Sequence, residues 1–247
     1  MEVCVDSIES ALNAARGGAS RLEVCSSLAE GGLTPSTGLL RVITENVTIP
    51  CFAMIRPRGG DFVYNELELQ VMEKDVEMMI ECGALGVVFG CLNNEGEIDE
   101  ASVTRLVNIA KNKQSTVGLT FHRAIDMARD IKKSAKQVQE LGFERILTSG
   151  GQKTALDGVQ CIAELVKEVD CIVMPGGGIN EENLEEIQTK SKCVEFHASA
   201  RIKKDSKMKF RNEGCSMGSN SEEFSIMVTS TEKVANLVKI YKNTFFK

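Results

Sequence analysis

Eight short apolar runs recur along this chain, separated by longer amphipathic stretches. They are Met1 to Val5, Arg21 to Cys25, Pro50 to Ile55, Gly86 to Leu92, Thr116 to Phe121, Arg145 to Thr148, Cys171 to Met174 and Cys193 to His197. Strands that alternate with helices predict β-α units around a parallel sheet. Eight such units at about thirty residues each suit a closed (β/α)8 barrel of the TIM type. An open doubly wound sheet is the second reading. The whole chain, residues 1–247, reads as one domain. At that length roughly 70–75% of the unfolded surface is buried, and disulfides are not needed to hold a core.

Helix starts are marked by Ser7 before Ile8, by Thr34-Pro35-Ser36, by Asp99, by Thr154 with Asp157, by Asn180 with two following Glu, and by Thr229 with Glu232 as a capping box. Gly17, Gly83 and Gly142 fall just past helical runs, where a positive φ ends a helix. Lys203 to Glu223 is polar and follows neither period, so it reads as a long loop inserted between strand eight and helix eight.

Twenty-nine Lys and Arg against thirty-five Asp and Glu leave a net charge of −6, which argues against nucleic acid and anionic membranes as partners. No apolar run approaches the ~20 residues that span a bilayer, and no charged-then-apolar leader precedes the first strand. The nine Cys are never closer than Cys82 and Cys91, so no CxxC zinc or redox pair exists, and scattered reduced thiols fit a cytosolic protein.

In such a barrel the site lies at the C-terminal ends of the strands. Those ends carry Glu23 and Cys25, then Arg56 to Asp61, then His122 to Asp126, then Thr148 to Gly151, then Pro175 to Gly178, and finally Glu195 to Arg201. Residues two apart share a strand face, which groups Glu23 with Cys25, Arg56 with Arg58, and Glu195 with His197 and Ser199. An isolated buried His is more often a hydrogen-bonded core residue, but both His of the chain stand at strand ends beside charges. Two Arg on one face suit bidentate capture of a carboxylate or phosphate. Ser149 and the Gly176-Gly177-Gly178 turn are candidates for the same anion, since the loops after strands seven and eight often seat phosphate. These residues outline an enzyme for a small phosphorylated or carboxylated metabolite. Arg56 and Arg58 would be its clamps, Glu23 or Asp126 its general base, and His122 or His197 its acid or base.

Most of the thiols read as small buried hydrophobes. Cys4 and Cys25 differ, because they lie on consecutive strands, and two neighbouring thiolates suit a soft monovalent ion such as Cu(I). A scaffold for protein partners finds no exposed amphipathic helix to support it.

Met1 to Ser7, Arg21 to Cys25 with Glu30 to Ser36, Met54 to Phe62, Thr120 to Asp126, Leu147 to Gly150, Met174 to Ile179 and Glu195 to His197 together resemble the CutC copper homeostasis family. The likeness runs from Met1 to at least Met217, and Met208 to Asn212 is similar to the animal-type members. The resemblance implies a TIM barrel, a cytoplasmic or partly nuclear homo-oligomer, and a role in copper tolerance or trafficking. It also implies Cu(I) as ligand on Cys4 and Cys25. It implies no particular reaction for the charged mouth.

Overall fold

The computed structural model describes residues 1–217 and 223–245. Eight parallel strands form the barrel: β1 (Glu2–Val5), β2 (Arg21–Val24), β3 (Cys51–Met54), β4 (Gly86–Phe89), β5 (Gly118–Phe121), β6 (Arg145–Thr148), β7 (Ile172–Pro175) and β8 (His197–Ala198). Their order is β7-β6-β5-β4-β3-β2-β1-β8, so the ladder passes through β1 and stops short of joining β7 to β8 among the described residues. The expected closed (β/α)8 topology therefore forms, with one seam open in its hydrogen bonding.

Outside the strands pack α1 (Ile8–Arg16), α2 (Thr37–Asn46), α3 (Glu66–Glu81), α4 (Glu100–Lys113), α5 (Ile131–Glu140), α6 (Val159–Glu168), α7 (Leu184–Ser191) and α8 (Thr231–Phe245). The hydrophobic core sits between these helices and the outward strand faces: Val3, Val5, Leu22, Val24, Leu40, Ile43, Val76 and Leu106 are fully buried. Each such side chain contributes roughly 1.5–3 kcal/mol by leaving water.

The barrel's interior is different. Phe52 points into it, and a Cβ on Gly86 or Gly118 would lie 2.5 or 2.4 Å from its ring, so only glycine leaves that ring room. Arg21 and Arg145 stack over the same ring at 5.0 and 5.7 Å. Arg21 also bonds Glu2 at 2.5 Å and Glu195 at 2.6 Å, and Arg145 bonds Glu195 at 3.1 Å. The barrel is thus plugged by an aromatic ring held between ion pairs, and the mouth lies above it.

Ser7, Ser36 and Asp99 cap their helices as the sequence predicts, each accepting from a backbone N–H three residues on. Other start signals lead to turns instead. Thr154 bonds Asp157 within a turn, and α6 begins only at Val159; Asn180 is four residues ahead of α7. Thr229 is buried at a strand end, its hydroxyl donating to Ser199 O, and Ser230 accepts from Lys233 N–H at the start of α8. The capping box expected at Thr229 and Glu232 does not form there. Gly83 and Gly142 take positive φ as expected, but Gly17 has φ −74 and Gly18 takes +91. Gly17 is instead required by packing, because a Cβ there would meet Val234 of α8 at 2.6 Å.

The inserted segment is shorter as a loop than expected. Residues Arg201–Asp205 (β9) and Ser225–Thr229 (β10) pair antiparallel, so Lys203 to Asp205 belong to a hairpin. That hairpin is tied to α1: Lys204 bonds Glu9 at 2.5 Å, and Asn13 donates to Thr229 O at 3.0 Å. Residues 218–222 of the predicted loop lie outside the described residues.

Candidate functional site

A cavity of about 280 Å³ opens at the C-terminal ends of the strands, and its wall includes Cys4, Glu23, Arg56, His122, Arg123, Gly177, Gly178, His197 and Arg201. Strand register brings the deepest groups together. Cys4 on β1 is directly opposite Glu23 on β2, and Glu2 is directly opposite His197 on β8. Glu2 and Cys4 are two apart and share the inward face.

His197 Nδ1 lies 2.8 Å from Glu2 Oε1, and its Nε2 lies 3.8 Å from Glu23 Oε2. The Cys4 sulfur, a Glu23 oxygen and a His197 nitrogen all fall within 4.8 Å of one another. Burial opposes a charge on His197, but the Cys4 sulfur, Glu23 and Glu2 outweigh it and push its pKa well above the ordinary value, so the ring holds both protons. Burial likewise opposes the Glu2 carboxylate, and the His197 hydrogen bond together with Arg21 reverses this, holding its pKa down at about 2. For Glu23 burial wins, and its pKa is raised despite His197. Cys25 donates from Sγ to Glu23 Oε2 at 3.3 Å, and burial followed by the Glu23 charge pushes its thiol well up. Cys4 and Cys25 thus flank one carboxylate: Cys4 faces the cavity, while Cys25 is packed with Phe52, Met54 and Val88.

On the far wall, His122 closes β5. Its Nδ1 accepts from Ala124 N–H at 3.2 Å, which leaves the proton on Nε2. The Phe62 ring lies tilted against it, with the centroids 4.9 Å apart. Burial, and then the nearby Arg56, push its pKa down to about 3, so this imidazole is neutral. Arg56 is only 7% exposed, lies over the Phe62 ring at 4.9 Å, and donates to the carbonyls of Glu30, Gly32 and Gly60. Among the described residues no carboxylate lies within ion-pair distance of it. Glu23 Oε1, Arg56 Nε and His122 Nε2 are buried without a hydrogen-bond partner. Each such atom carries a penalty of about 1–3 kcal/mol.

The remaining candidates are placed as follows. Arg58 does not join Arg56: it turns out of the cavity to Glu68 at 2.5 Å, Asp61 at 3.2 Å and Val63 O at 2.7 Å. The strand ends at Met54 and Pro57 follows, so the two-residue alternation that paired the two Arg no longer applies. Asp126 accepts from Thr148 Oγ1, from the N–H groups of Ser149 and Gly151, and from Arg123 Nε at 2.7 Å. Its oxygens are therefore committed to fixing the end of β6 and aiming Arg123. Ser149 accepts from Arg123 Nη2 at 2.6 Å. Gly176 must lack a side chain, since a Cβ would meet Leu147 at 2.6 Å, and Gly177 and Gly178 take φ of +101 and +72 on the rim. Arg123 and Arg201 line the cavity although the strand-end reading assigned them no role; their placement in the Arg123 to Asp126 and Glu195 to Arg201 segments was the available signal. Glu2, Arg21 and Arg145 were missed because they stand at the entering ends of strands. The signal there is a charged residue on the same parity as Cys4 or Glu23.

These features define a single-chain (β/α)8-barrel protein in which ionisable groups converge at the C-terminal mouth. The chain belongs to the CutC family, whose model matches residues 1–202. The human copper homeostasis protein cutC homolog is 48% identical over 247 residues, covering 98% of this chain and 89% of that protein. The Dictyostelium discoideum homolog is 39% identical, covering 96% and 95%. A crystal structure of a CutC protein from Streptococcus agalactiae superposes with a TM-score of 0.75 at 32% identity, covering 80% of this chain and 97% of that one. Thiamine phosphate pyrophosphorylase from Pyrococcus furiosus, at 16% identity and a TM-score of 0.59, shows the fold alone. Among the described residues no helix is long and apolar enough to cross a membrane.

Proposed function

We propose that this protein binds Cu(I) on Cys4 and Cys25, with His197 beside them, and acts in copper homeostasis. The observation that carries the reading is the buried group of Cys4, Glu23 and His197 within 4.8 Å, with the Cys25 thiol bonded to the same Glu23. Sulfur and imidazole are the donors a soft monovalent ion selects, and the carboxylate alone would not favour it. His197 has Nδ1 committed to Glu2, which leaves Nε2 as its donor atom. A carboxylate behind an imidazole is the usual support of a histidine ligand. The names of the human and Dictyostelium relatives support the same reading.

The fit requires protons to leave, because thiolates and neutral imidazole are the binding forms. Cu(I) affinity should therefore fall as the pH falls. Anaerobic titration against a chromogenic Cu(I) chelator measures this. Tight binding is expected in the wild type and at least a hundredfold weaker binding in the Cys4→Ser/Cys25→Ser double variant; equal binding by the two overturns the reading.

A second reading, a barrel enzyme acting on a small phosphorylated or carboxylated metabolite, is favoured by a separate observation. Arg56 and His122 line the mouth, each holds a buried N–H without a hydrogen-bond partner, and copper gives them no task. In this reading Glu23 and His197 are the groups free for proton work, Arg56 is the anion clamp and Asp126 is a positioning residue. Thermal shift with inorganic phosphate and a panel of sugar phosphates tests it, with Arg56→Ala abolishing any shift. The absence of a shift with every member overturns it.

A further inference from the structure

The unpartnered atoms at the mouth specify more than an anion. Six buried side-chain atoms among the described residues lack a hydrogen-bond partner, on Glu23, Arg56, Tyr64, Thr120, His122 and Gln188. Three of these residues, Glu23, Arg56 and His122, line one cavity. The three atoms have fixed and different needs. Arg56 Nε is a donor only, and His122 Nε2 is a donor because Nδ1 already accepts from Ala124 N–H. Glu23 Oε1 is an acceptor when the carboxyl is ionised, since Oε2 already accepts from Cys25. A molecule that satisfies all three therefore presents an electron-rich oxygen to two donors and a hydroxyl hydrogen to one acceptor.

The rim adds a second requirement. The N–H groups of Gly177 and Gly178 make no hydrogen bond among the described residues, and both residues line the cavity. Arg201 lines the same cavity, and among the described residues its guanidinium has only a 3.9 Å ion-pair contact, to Asp6. Two free backbone donors and a guanidinium after β7 and β8 suit a phosphoryl group. A volume of about 280 Å³ admits a molecule of a few carbons between floor and rim.

The geometry points to a phosphorylated α-hydroxy carbonyl compound as the ligand of this mouth. Its carbonyl or carboxyl oxygen accepts from Arg56 Nε and His122 Nε2, its hydroxyl donates to Glu23 Oε1, and its phosphoryl group lies against Gly177, Gly178 and Arg201. This assignment rests on the second reading above and is independent of copper. His122 serves as an uncharged donor in it, in keeping with the pressure of burial and Arg56 against its second proton.

Isothermal titration of the purified protein with dihydroxyacetone phosphate and with 3-phosphoglycerate tests the assignment, with glycerol 3-phosphate as the control that lacks the carbonyl oxygen and inorganic phosphate as the control that lacks the rest. Binding of at least one of the first two is expected, at least tenfold tighter than glycerol 3-phosphate. His122→Asn keeps an acceptor for Ala124 N–H and loses the Nε2 donor, and it should weaken that ligand at least tenfold while leaving inorganic phosphate unchanged. Arg56→Lys, which keeps the charge and removes Nε–H, should act in the same direction. Without any variant, the His122 ring resonance should move when the ligand is added to histidine-labelled protein, which has only two such rings to assign. Equal affinity for glycerol 3-phosphate and the carbonyl compounds overturns the assignment and leaves the anionic-metabolite reading standing. Failure of all four, inorganic phosphate included, overturns both.

Discussion

The two histidines of this chain, His122 just after β5 and His197 at the start of β8, line one cavity, and both are nearly out of contact with solvent. Burial works against a second proton on each, yet they hold opposite states. His197 is surrounded by Glu2, Glu23 and the Cys4 sulfur and is doubly protonated; His122 faces Arg56 and two phenylalanines and stays neutral. Depth sets the same default for both rings, and the nearest charges decide which ring keeps to it. The cavity therefore has a wall on β1, β2 and β8 where carboxylates hold a protonated ring, and a wall after β3 and β5 where a cation, Arg56, faces a neutral one. Copper chemistry is proposed for the first and carbonyl recognition for the second.

Removing the partner on which the charged wall depends should have the largest effect. Glu2 is fully buried between Arg21 and His197, so Glu2→Leu removes the carboxylate the two share and leaves Arg21 with Glu195 alone and His197 with the more distant Glu23. A loss of about 3–5 kcal/mol in urea unfolding is expected, as for other broken buried pairs. His122→Asn removes no charge pair, and a loss below about 2 kcal/mol is expected there. Equal losses would show that the two walls do not differ in the way described.

The pH dependence of stability separates the two rings by sign. An unfolded histidine takes up a proton near pH 6.5, whereas folded His122 resists protonation until about pH 3. Between those values the unfolded state binds more protons, so His122 makes stability fall as the pH falls, by up to about 5 kcal/mol. His197 is the reverse: its contribution is complete below pH 6.5 and is lost as the pH rises through its elevated folded value. Glu2 acts in acid as well, its contribution being lost as the pH falls from 4.5 towards 2. Urea midpoints across pH should give a dome whose fall between pH 6.5 and 4.5 is much smaller in His122→Asn, where the opposing contribution of Glu23 remains. A fall that persists undiminished in that variant assigns it to another group.

A smaller perturbation reaches one wall from below. Gly118→Ala places a methyl group against the Phe52 ring, on which Arg21 stacks, and Arg21 in turn holds Glu2. A cost of about 1–3 kcal/mol is expected. The His197 resonance should shift and the His122 resonance should stay in place. Movement of both would mean that the plug supports the whole mouth and not one wall.

How far this was readable from sequence follows the range of the interactions. Strand positions repeat a local period, and seven of the eight expected runs overlap a strand for most of its length; the eighth pairs only from His197. The parity that put Glu23 with Cys25 holds because both lie on or directly after β2. It fails for Arg56 with Arg58 because β3 ends at Met54 before them. The β9–β10 hairpin was hidden because Arg201-Ile202-Lys203-Lys204-Asp205 is polar on both faces, and its stability comes from α1, nearly two hundred residues away in sequence. The ion pairs of Glu2, Arg21, Arg145 and Glu195 join strands from both ends of the chain, and no local pattern distinguishes an inward charge from a solvated one.

The smallest expected effect bears on the cause of the contrast itself. Burial is the larger influence holding His122 neutral, and the Arg56 charge is the second. Arg56→Met removes the charge and keeps an apolar stem over Phe62, so the second influence is deleted while the first remains. The His122 pKa, read from its ring resonances, should rise but stay below 6.5, corresponding to about 1 kcal/mol of differential stabilisation. His197 has its own carboxylates close by and should not respond. If His122 instead titrates near 6.5 in Arg56→Met, then Arg56 and not depth keeps it neutral, and the two rings differ only in the sign of one neighbour. If it does not move, depth alone is sufficient on that wall, and only His197 depends on charged partners.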